Sequence, residues 1–488
     1  MQTFVSIAFG RAARLTAALV AVVVACAAQT PTLTTLYSFN GGPTDGANPS
    51  AGLVFGGNGS LFGATPYGGA AGLGTLFELT PGTPWTEQLL YSFQGGSDGA
   101  YPAGPLLLGT GGVFYGATFA GGSTGNGTVF ELTPPKKKGG AWKETVIYTF
   151  QGIATGAVNV AGTVVTLASG TPFVTGTTWN GVTFYINGTA YTIASVSSSS
   201  SLTLTATAGN LTAAAYTVNS APPGPWAGWS DASGPEGGMI ILQNGKIYGA
   251  AIGGGSAGAG AVFQLTPPVG SGPWVEKVIY SFQDGKDGSG PESGVILSNG
   301  SLFGNTCCGT VGGTVFELKP NKSNWTKSSV FNFSTYAKGK QPVGGMASDS
   351  NGVLYGTTKE GGTDGAGIIF SLTPGAAGKP YTLTTIHTFT NGSDGGAPYG
   401  TVLLGSSGQV YATVSSGCDY GVGGVLEFTP PAAQGADWTE TVLYSFTGAQ
   451  DGSQPTAGVI TNSTGALFGT TPFSNYGLGY GTVYQLTQ

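Results

Sequence analysis

The chain has 488 residues, of which 89 are glycine, and only 8% are charged, with a formal net charge of −6. Its 16 lysine and arginine residues form no basic face or arm that could neutralise a phosphate backbone, which excludes nucleic acid as a partner. A hydrophobic content of 40%, with 11% aromatic residues, argues for a packed fold rather than for disorder.

The N-terminal segment has the pattern of a secretory signal. Arg11 and Arg14 precede an apolar stretch at residues 15–25, and small residues near position 27 suit cleavage. We therefore predict a signal peptide at residues 1–28 and a secreted, extracellular protein. The alternative is a cell-surface lipoprotein attached through Cys26. No later apolar stretch is long enough to cross a bilayer, so the mature chain is expected to have no transmembrane segment.

After this segment, one eight-residue phrase returns along the chain. It reads GTVFELTP at residues 127–134, and with one exception its copies lie 53 to 58 residues apart, a spacing typical of repeat folds. The copies begin at Gly74, Gly127, Gly260, Gly313, Gly367, Gly423 and Gly481.

Each copy lies in a larger unit of four short β-branched and aromatic runs, separated by Gly, Asn and Pro turns. No segment has a sustained helical period, so an all-β fold is expected. Seven such units predict a seven-bladed β-propeller of four-stranded repeats, with an open solenoid as the alternative. Residues 32–39 resemble a fourth strand and the last phrase a third strand, so we expect the two to complete one blade.

The exceptional interval contains a segment without the phrase. Residues 153–227 hold five or six alternating runs, which predict a small inserted β-sandwich-like domain. The expected organisation is a signal peptide at 1–28, the first propeller part at 29–152, the insert at 153–227 and the remaining repeats at 228–488. Among the insert's aromatic residues, Trp179 lies beside an Asn-Gly turn and is expected to be exposed, whereas Tyr185 and Tyr191 suit a core better.

The phrases G-x-L-Y/F-G-x-T, GTVFELTP and W-x-E-x-x-L-Y-S-F resemble the GloVer-type tandem repeat of secreted bacterial proteins, a family known for its varied C-terminal anchors. The resemblance covers residues 32–152 and 228–488. It implies secretion and a repeated β fold, and it implies no established chemistry. This chain departs from the family pattern because it shows no C-terminal anchor.

The repetition also bears on the candidate acids. A catalytic carboxylate pair is needed in one place, whereas glutamates recur in most units, so we interpret them as structural. Aspartates of the Asp-Gly loops are expected to form local turns, with calcium as a disfavoured alternative. The glutamates are Glu78, Glu131, Glu317, Glu427, Glu87, Glu144, Glu276 and Glu440, and the aspartates are Asp45, Asp98, Asp287, Asp394 and Asp451.

The single histidine and the cysteines give no catalytic pattern. His387 replaces the tyrosine of the YSF run and is interpreted as a core substitution, so no metal site or cofactor is expected. Cys307 and Cys308 lie together in a loop, and Cys418 lies in the equivalent loop two repeats later. In an oxidising compartment we prefer a bridge between Cys307 and Cys308, which leaves Cys418 as a thiol; a bridge to Cys418 is the alternative.

These observations favour a binding or interaction module with a polysaccharide or another envelope component as ligand. The alternatives are an extracellular carbohydrate-active enzyme, a lyase or hydrolase, and a purely structural envelope protein. Aromatic residues in loops are the expected binding residues, because the loops carry little charge. They are Trp179, Tyr67, Phe119, Tyr420 and Tyr476.

Overall fold

The structure is a computed structural model that describes most of the chain after the N-terminal segment. It describes residues 30–488 except 124, 138, 151–154, 171–172, 174–182, 188, 219–230, 243, 271, 310–311, 323, 377–378 and 434. The secondary structure of this part is β-strands and four 3-10 segments, at Thr110–Gly112, Gly285–Asp287, Tyr336–Lys338 and Asn475–Gly477. The expected all-β fold is therefore confirmed. No helix in the described ranges has the length and apolar character needed to cross a membrane.

The first part of the chain forms eleven strands in its described residues. They are β1 (Thr32–Ser38), β2 (Gly46–Ala47), β3 (Val54–Phe55), β4 (Leu61–Thr65), β5 (Tyr67–Gly68), β6 (Thr75–Thr80), β7 (Thr86–Ser92), β8 (Ala100–Leu108), β9 (Phe114–Ala120), β10 (Thr128–Thr133) and β11 (Lys143–Thr149). The segment without the phrase contains β12 (Thr155–Ala161), β13 (Val164–Gly170), β14 (Thr183–Ile186), β15 (Thr189–Ser198), β16 (Ser201–Leu204) and β17 (Asn210–Val218).

The remaining repeats begin with strands of two or three residues and continue with longer ones. The strands are β18 (Ala232–Ser233), β19 (Ile240–Ile241), β20 (Ile247–Ala251), β21 (Gly253–Gly254), β22 (Ala261–Thr266), β23 (Val275–Ser281), β24 (Ile296–Ser298), β25 (Ser301–Thr306), β26 (Thr314–Asn321), β27 (Asn324–Asn332), β28 (Ala347–Ser348), β29 (Leu354–Thr358), β30 (Ile368–Thr373), β31 (Thr382–Thr388), β32 (Leu403–Leu404), β33 (Val410–Val414), β34 (Gly424–Thr429), β35 (Thr439–Ser445), β36 (Ile460–Thr461), β37 (Leu467–Thr471) and β38 (Thr482–Thr487).

Most of these strands belong to four-stranded antiparallel sheets, of which the described residues form seven. Each phrase is the third strand of its sheet, paired with the second and fourth strands. In chain order, sheet 1 is β3-β4-β6-β7, sheet 2 is β8-β9-β10-β11, sheet 3 is β19-β20-β22-β23, sheet 4 is β24-β25-β26-β27, sheet 5 is β28-β29-β30-β31, sheet 6 is β32-β33-β34-β35 and sheet 7 is β36-β37-β38-β1.

Sheet 7 combines the two ends of the described chain. Strand β1 pairs antiparallel with β38, with Thr34 opposite Gln485 and Leu33 opposite Leu486. The expected pairing of the N-terminal fourth strand with the last phrase is therefore present, and the otherwise open edge of β38 is covered.

Hydrophobic clusters join each sheet to the next one. Val129 of β10 packs against sheet 3, whereas its neighbour Phe130 packs against sheet 1. Both faces of a sheet are thus buried, which explains why the phrase lacks strict alternation of apolar and polar residues. Sheet 7 shares one cluster with sheet 6, through Tyr484 and Val425, and another with sheet 1, through Val483 and Phe77.

The glycine that opens each phrase contacts the following repeat. Gly127 has a φ of +94°, a region that disfavours other residues, and a Cβ atom placed there would lie 2.9 Å from the Cδ atom of Pro235. The same contact joins Gly481 of the last repeat to Pro49 of the first, at 2.7 Å. The residue before each of these prolines also has positive φ and donates its backbone N–H to the preceding repeat, as Gln341 does to Gly312 and Asn48 to Tyr480.

Residues 155–218 form a closed barrel in the strand order β12-β13-β16-β15-β14-β17. The prediction of a β-sandwich-like arrangement is wrong. Strand β12 pairs with both β13 and β17, so the six strands form one sheet that closes on itself. Alternation along single strands shows which residues are buried but not whether the first and last strands pair. The barrel core includes Phe173, Phe184 and Tyr216.

Candidate functional site

Two sets of loops lie side by side at one end of the strands. The inter-sheet loops run from the fourth strand of one sheet to the first strand of the next, and the second–third loops connect those two strands within a sheet. They are bridged by backbone pairs such as Gly46–Gly68, Ser289–Cys308 and Lys340–Glu360. We call the surface formed by these loops the loop face. The other loops leave the strands at the opposite ends.

Three of the four aromatic residues predicted in loops of the repeats lie in second–third loops of the loop face, and the fourth, Phe119, is the second-last residue of strand β9. Their side chains are exposed, with relative accessibilities of 51% for Tyr67, 36% for Phe119, 61% for Tyr420 and 80% for Tyr476. Tyr67 makes an edge contact with Tyr101 at the start of strand β8 in the next sheet, with ring centroids 5.7 Å apart.

The loop of sheet 7 holds its tyrosine in an unusual backbone conformation. Tyr476 has a φ of +58°, which bulky residues rarely adopt, and its N–H donates to the carbonyl of Gly448. Gly448 also lies against Val422, two residues after Tyr420. The loops that carry Tyr420 and Tyr476 therefore border the same inter-sheet loop.

The structure describes only some of the aromatic residues predicted for the barrel. Trp179 lies outside the described residues, as does the side chain of Tyr185. Tyr191 is half-buried and packs against the barrel core, as expected. The signal peptide at residues 1–28 and Cys26 also lie outside the described residues.

A tyrosine, an aspartate and a glutamate meet at three of the seven junctions between sheets. Tyr91 Oη donates to Asp98 Oδ1 at 2.9 Å, and the backbone N–H of Gln94 donates to the other oxygen of Asp98. Glu144 of the next sheet lies beside them, and burial, together with the charge of Asp98, raises the pKa of Glu144 to about 8. The arrangement agrees with the structural interpretation of the recurrent acids, since the aspartate closes its own loop.

The same arrangement occurs at two other junctions. Burial, followed by the neighbouring aspartate, raises the pKa of Glu87 to about 7 and that of Glu276 to about 8. In Glu87, Glu144 and Glu276, the Oε1 atom is buried and has no hydrogen-bond partner among the described residues.

Two junctions carry substitutions that change the charge. Lys327 stands where sheets 1, 2, 3 and 6 have this glutamate, and its Nζ lies 2.7 Å from Asp287 Oδ1. His387 stands where five of the other six sheets have tyrosine, and its Nε2 lies 3.2 Å from Asp394 and 3.5 Å from Glu440. Its ring also packs on Phe389, so a core substitution describes its position.

A further cluster on the loop face does not follow the repeat. Glu236 and Glu292 lie four residues before the first strands of sheets 3 and 4 and interact electrostatically. Lys359 interacts with Glu292 on the other side, and its Nζ lies 4.9 Å from the centroid of the Tyr399 ring. We call Glu236, Glu292, Lys359 and Tyr399 the charged cluster. Sequence reasoning missed it; the only signal is the phrase Gly-Pro-Glu, which occurs twice and in consecutive repeats.

Three cysteines lie in the described part of the chain, in second–third loops. Cys307 and Cys308 are joined by a disulfide, and Cys418 is a buried thiol whose pKa is raised to about 12 by burial and then by nearby carboxylates. The sulfur atoms of Cys307 and Cys308 lie within 4.8 Å of a carboxylate oxygen of Glu292.

Comparison with known proteins defines the class of protein. The model of the Gloeobacter/Verrucomicrobia repeat family matches residues 20–222 and 225–389, which is more than half of the chain. The chain therefore belongs to this family, and the resemblance drawn from its phrases is confirmed. No curated protein matches the sequence significantly.

Solved structures show likenesses at low identity. A polysaccharide lyase, the PL25 ulvan lyase, has 9% identity and a TM-score of 0.48, covering 93% of this chain and 95% of that chain. A glucose dehydrogenase-like oxidoreductase of Thermus thermophilus has 13% identity and a TM-score of 0.38, covering 84% and 98%. A 6-phosphogluconolactonase-like protein of Bacteroides fragilis has 16% identity and a TM-score of 0.32, covering 70% and 84%. None of these values is high enough to transfer an activity to this chain.

Proposed function

We propose that the seven sheets are the blades of one closed β-propeller and that the protein is secreted and acts as a binding module for a polysaccharide or another envelope component. The ring is supported by the core clusters and by the glycine–proline contacts, which join the last repeat to the first as they join the others. Secretion is supported by the signal-like pattern of residues 1–28 and by the disulfide.

The binding role rests on one observation: several loops of the loop face carry an exposed aromatic side chain. Tyr67, Tyr420 and Tyr476 are each more than half exposed, in a chain with only 8% charged residues. Exposed aromatic rings are unfavourable in water and commonly mark interaction surfaces. A flat ring with a polar edge is also suited to packing against the apolar face of a sugar.

A glycan array on the protein without residues 1–28, followed by calorimetric titration with the strongest glycan, tests the proposal. We expect Tyr420→Ala and Tyr476→Ala each to weaken binding about tenfold, the effect typical of a central aromatic contact. Leu297→Ala is the matched control, because Leu297 is 47% exposed on a first strand away from these loops. An array without any bound glycan would contradict the binding role.

The same binding measurements distinguish the loop face from the barrel as the binding site, and a binding module from an enzyme or a structural protein. Replacement of residues 153–227 by a short linker should leave binding unchanged if the loop face holds the site, whereas a loss of binding would move the site to the barrel and to Trp179. Shortening of a bound glycan during incubation would indicate the carbohydrate-active enzyme. Failure of every envelope polysaccharide to bind would favour the structural envelope protein.

A further inference from the structure

The Cys307–Cys308 disulfide is not needed to hold its loop. Ser289 and Cys308 exchange two backbone hydrogen bonds across the loop of sheet 4. In sheet 5, which has no cysteine at these positions, Lys340 and Glu360 exchange the same two bonds. A bridge between adjacent residues also closes too short a loop to remove much entropy from the unfolded chain. The two cysteines therefore call for a role other than stability.

A carboxylate reaches the two sulfur atoms from the preceding inter-sheet loop. One oxygen of Glu292 and the Sγ atoms of both cysteines all lie within 4.8 Å of one another. Cys307 donates its backbone N–H to the carbonyl of Gly290, two residues before Glu292. A Cβ atom placed on Gly290 would lie 2.9 Å from Cys307 Sγ, so this loop passes directly over the sulfur. Glu292 precedes Cys307 by 15 residues, and the fold rather than the local sequence brings the three groups together.

The two sulfur-bearing residues differ in exposure. Cys307 is buried, with a relative accessibility of 4%, whereas Cys308 is exposed. Thiol–disulfide exchange requires access to the disulfide, which Cys308 provides. Because the backbone hydrogen bonds of the loop do not involve the sulfur atoms, the loop should keep its shape after reduction. Both thiols then stay beside Glu292.

We propose that Cys307, Cys308 and Glu292 form a metal site that opens when the disulfide is reduced. A small dithiol breaks the S–S bond: it supplies two electrons and two protons, leaves two protein thiols and closes its own disulfide. A divalent ion then displaces the two thiol protons and binds two thiolates and one carboxylate, with water as the fourth ligand. The site is separate from the proposed polysaccharide binding, so neither depends on the other.

The ligand set selects the kind of metal. Thiolates favour ions such as Zn²⁺ and Cd²⁺ over Ca²⁺ and Mg²⁺, which prefer oxygen. Ligand atoms around a tetrahedral zinc ion lie roughly 3.5–3.8 Å apart. Reduction lets the sulfur atoms separate to this distance, and the Glu292 oxygen, already within 4.8 Å of them, needs to move by only about 1 Å. Lys359 also interacts with Glu292, so the ion competes with this ammonium group for the carboxylate.

Cadmium is the probe, because its bonds to thiolates absorb in the ultraviolet. Protein without residues 1–28 and with Cys418→Ser, the parent protein of this test, has no cysteine other than Cys307 and Cys308. After reduction with a dithiol and removal of the dithiol without oxygen, titration with Cd²⁺ should produce the absorption with one ion per chain. The oxidised protein should produce none. A reduced protein without this absorption, or an oxidised protein with an equal one, would overturn the site.

Glu292→Gln tests the third ligand. We expect the reduced variant to bind Cd²⁺ at least about tenfold more weakly, since loss of groups that only orient metal ligands already has this effect. Glu360→Gln is the matched control, because it removes a carboxylate from the equivalent loop of sheet 5, and it should bind like the parent protein. Equal affinities of Glu292→Gln and the parent protein would overturn the three-ligand site.

Cys308→Ser tests the exposed ligand and should abolish the tight binding of Cd²⁺. Ser50 and Ser416 stand at the positions of Glu292 and Cys308 in sheets 1 and 6, so the fold accepts serine at both. If the melting curve of Glu292→Gln shows that it does not fold, Glu292→Ser takes its place. Tight Cd²⁺ binding that persists in Cys308→Ser, or an unchanged affinity in Glu292→Ser, would overturn the site.

Discussion

At the scale of single residues, the junctions between sheets should govern how stability depends on pH. Burial keeps Glu144 protonated in the folded protein up to about pH 8, whereas its ordinary value is 4.5. Between these values the folded state binds more protons than the unfolded state, so this residue makes stability fall as pH rises.

Glu144→Gln therefore tests whether this carboxyl group causes the fall in stability at high pH. At pH 5 the amide resembles the protonated acid, and the variant should melt close to wild type. At pH 9 the variant should be more stable than wild type by on the order of 2 kcal/mol, after allowing for solvent screening of a partly exposed carboxyl. Chemical denaturation at both pH values measures the difference. Thr145→Ser is the control without a titratable group, and an equal effect of Glu144→Gln at both pH values would refute the explanation.

The junction with Lys327 should respond differently. Lys327 and Asp287 are largely buried and 2.7 Å apart, with side-chain accessibilities of 7% and 20%. Lys327→Met removes the positive charge and leaves Asp287 buried, so we expect a loss of about 3 kcal/mol in the free energy of unfolding. Lys340→Met, in the exposed pair with Glu360, should cost less than about 1 kcal/mol. Similar losses of stability for both variants would show that burial of the ion pair does not determine how much stability is lost.

The thiols give a third residue-scale prediction. In protein without residues 1–28, titration under denaturing conditions without reductant should find one thiol per chain, that of Cys418. The folded protein should react slowly, because Cys418 is buried and its pKa is raised to about 12. Cys418→Ser should remove the thiol entirely. A non-reduced peptide in which Cys418 is linked to Cys307 or Cys308 would contradict the assignment.

At the scale of elements, the barrel should be separable from the sheets. Its first and last strands pair, with Thr155 opposite Thr217, so the two ends of the barrel lie close together. A short Gly-Ser linker in place of residues 153–227 should therefore leave the sheets folded, since closing a short gap costs little entropy. Circular dichroism and thermal melting of the deletion variant measure this. An unfolded variant would mean that the barrel belongs to the core of the sheets.

Local pattern was sufficient for the elements and insufficient for their contacts. The phrase GTVFELTP predicts a third strand because its β-branched and aromatic residues and its flanking turns are local features. Closure of the barrel and the meeting of Glu236 with Glu292 depend instead on strands from distant parts of the chain. Fifty-six residues separate these glutamates, and only the packing of sheet 3 on sheet 4 brings them together.

At the scale of the whole molecule, sheet 7 determines whether the seven sheets can form a closed ring. Six of the seven sheets take their strands from one continuous segment, whereas sheet 7 takes β1 from the beginning of the described chain and three strands from its end. The closed propeller requires this pairing within one molecule, because β38 would otherwise present an open edge that could pair with another chain.

The most direct test is a cross-link between Thr34 and Gln485, which lie opposite each other in β1 and β38. In a Cys418→Ser background, Thr34→Cys with Gln485→Cys should oxidise to an intramolecular disulfide in the monomer and raise the melting temperature. Thr34→Cys with Thr461→Cys, on the far strand of the same sheet, should not cross-link. Non-reduced peptide mapping that finds free thiols in the first pair, or a link only between molecules, would contradict the closed ring.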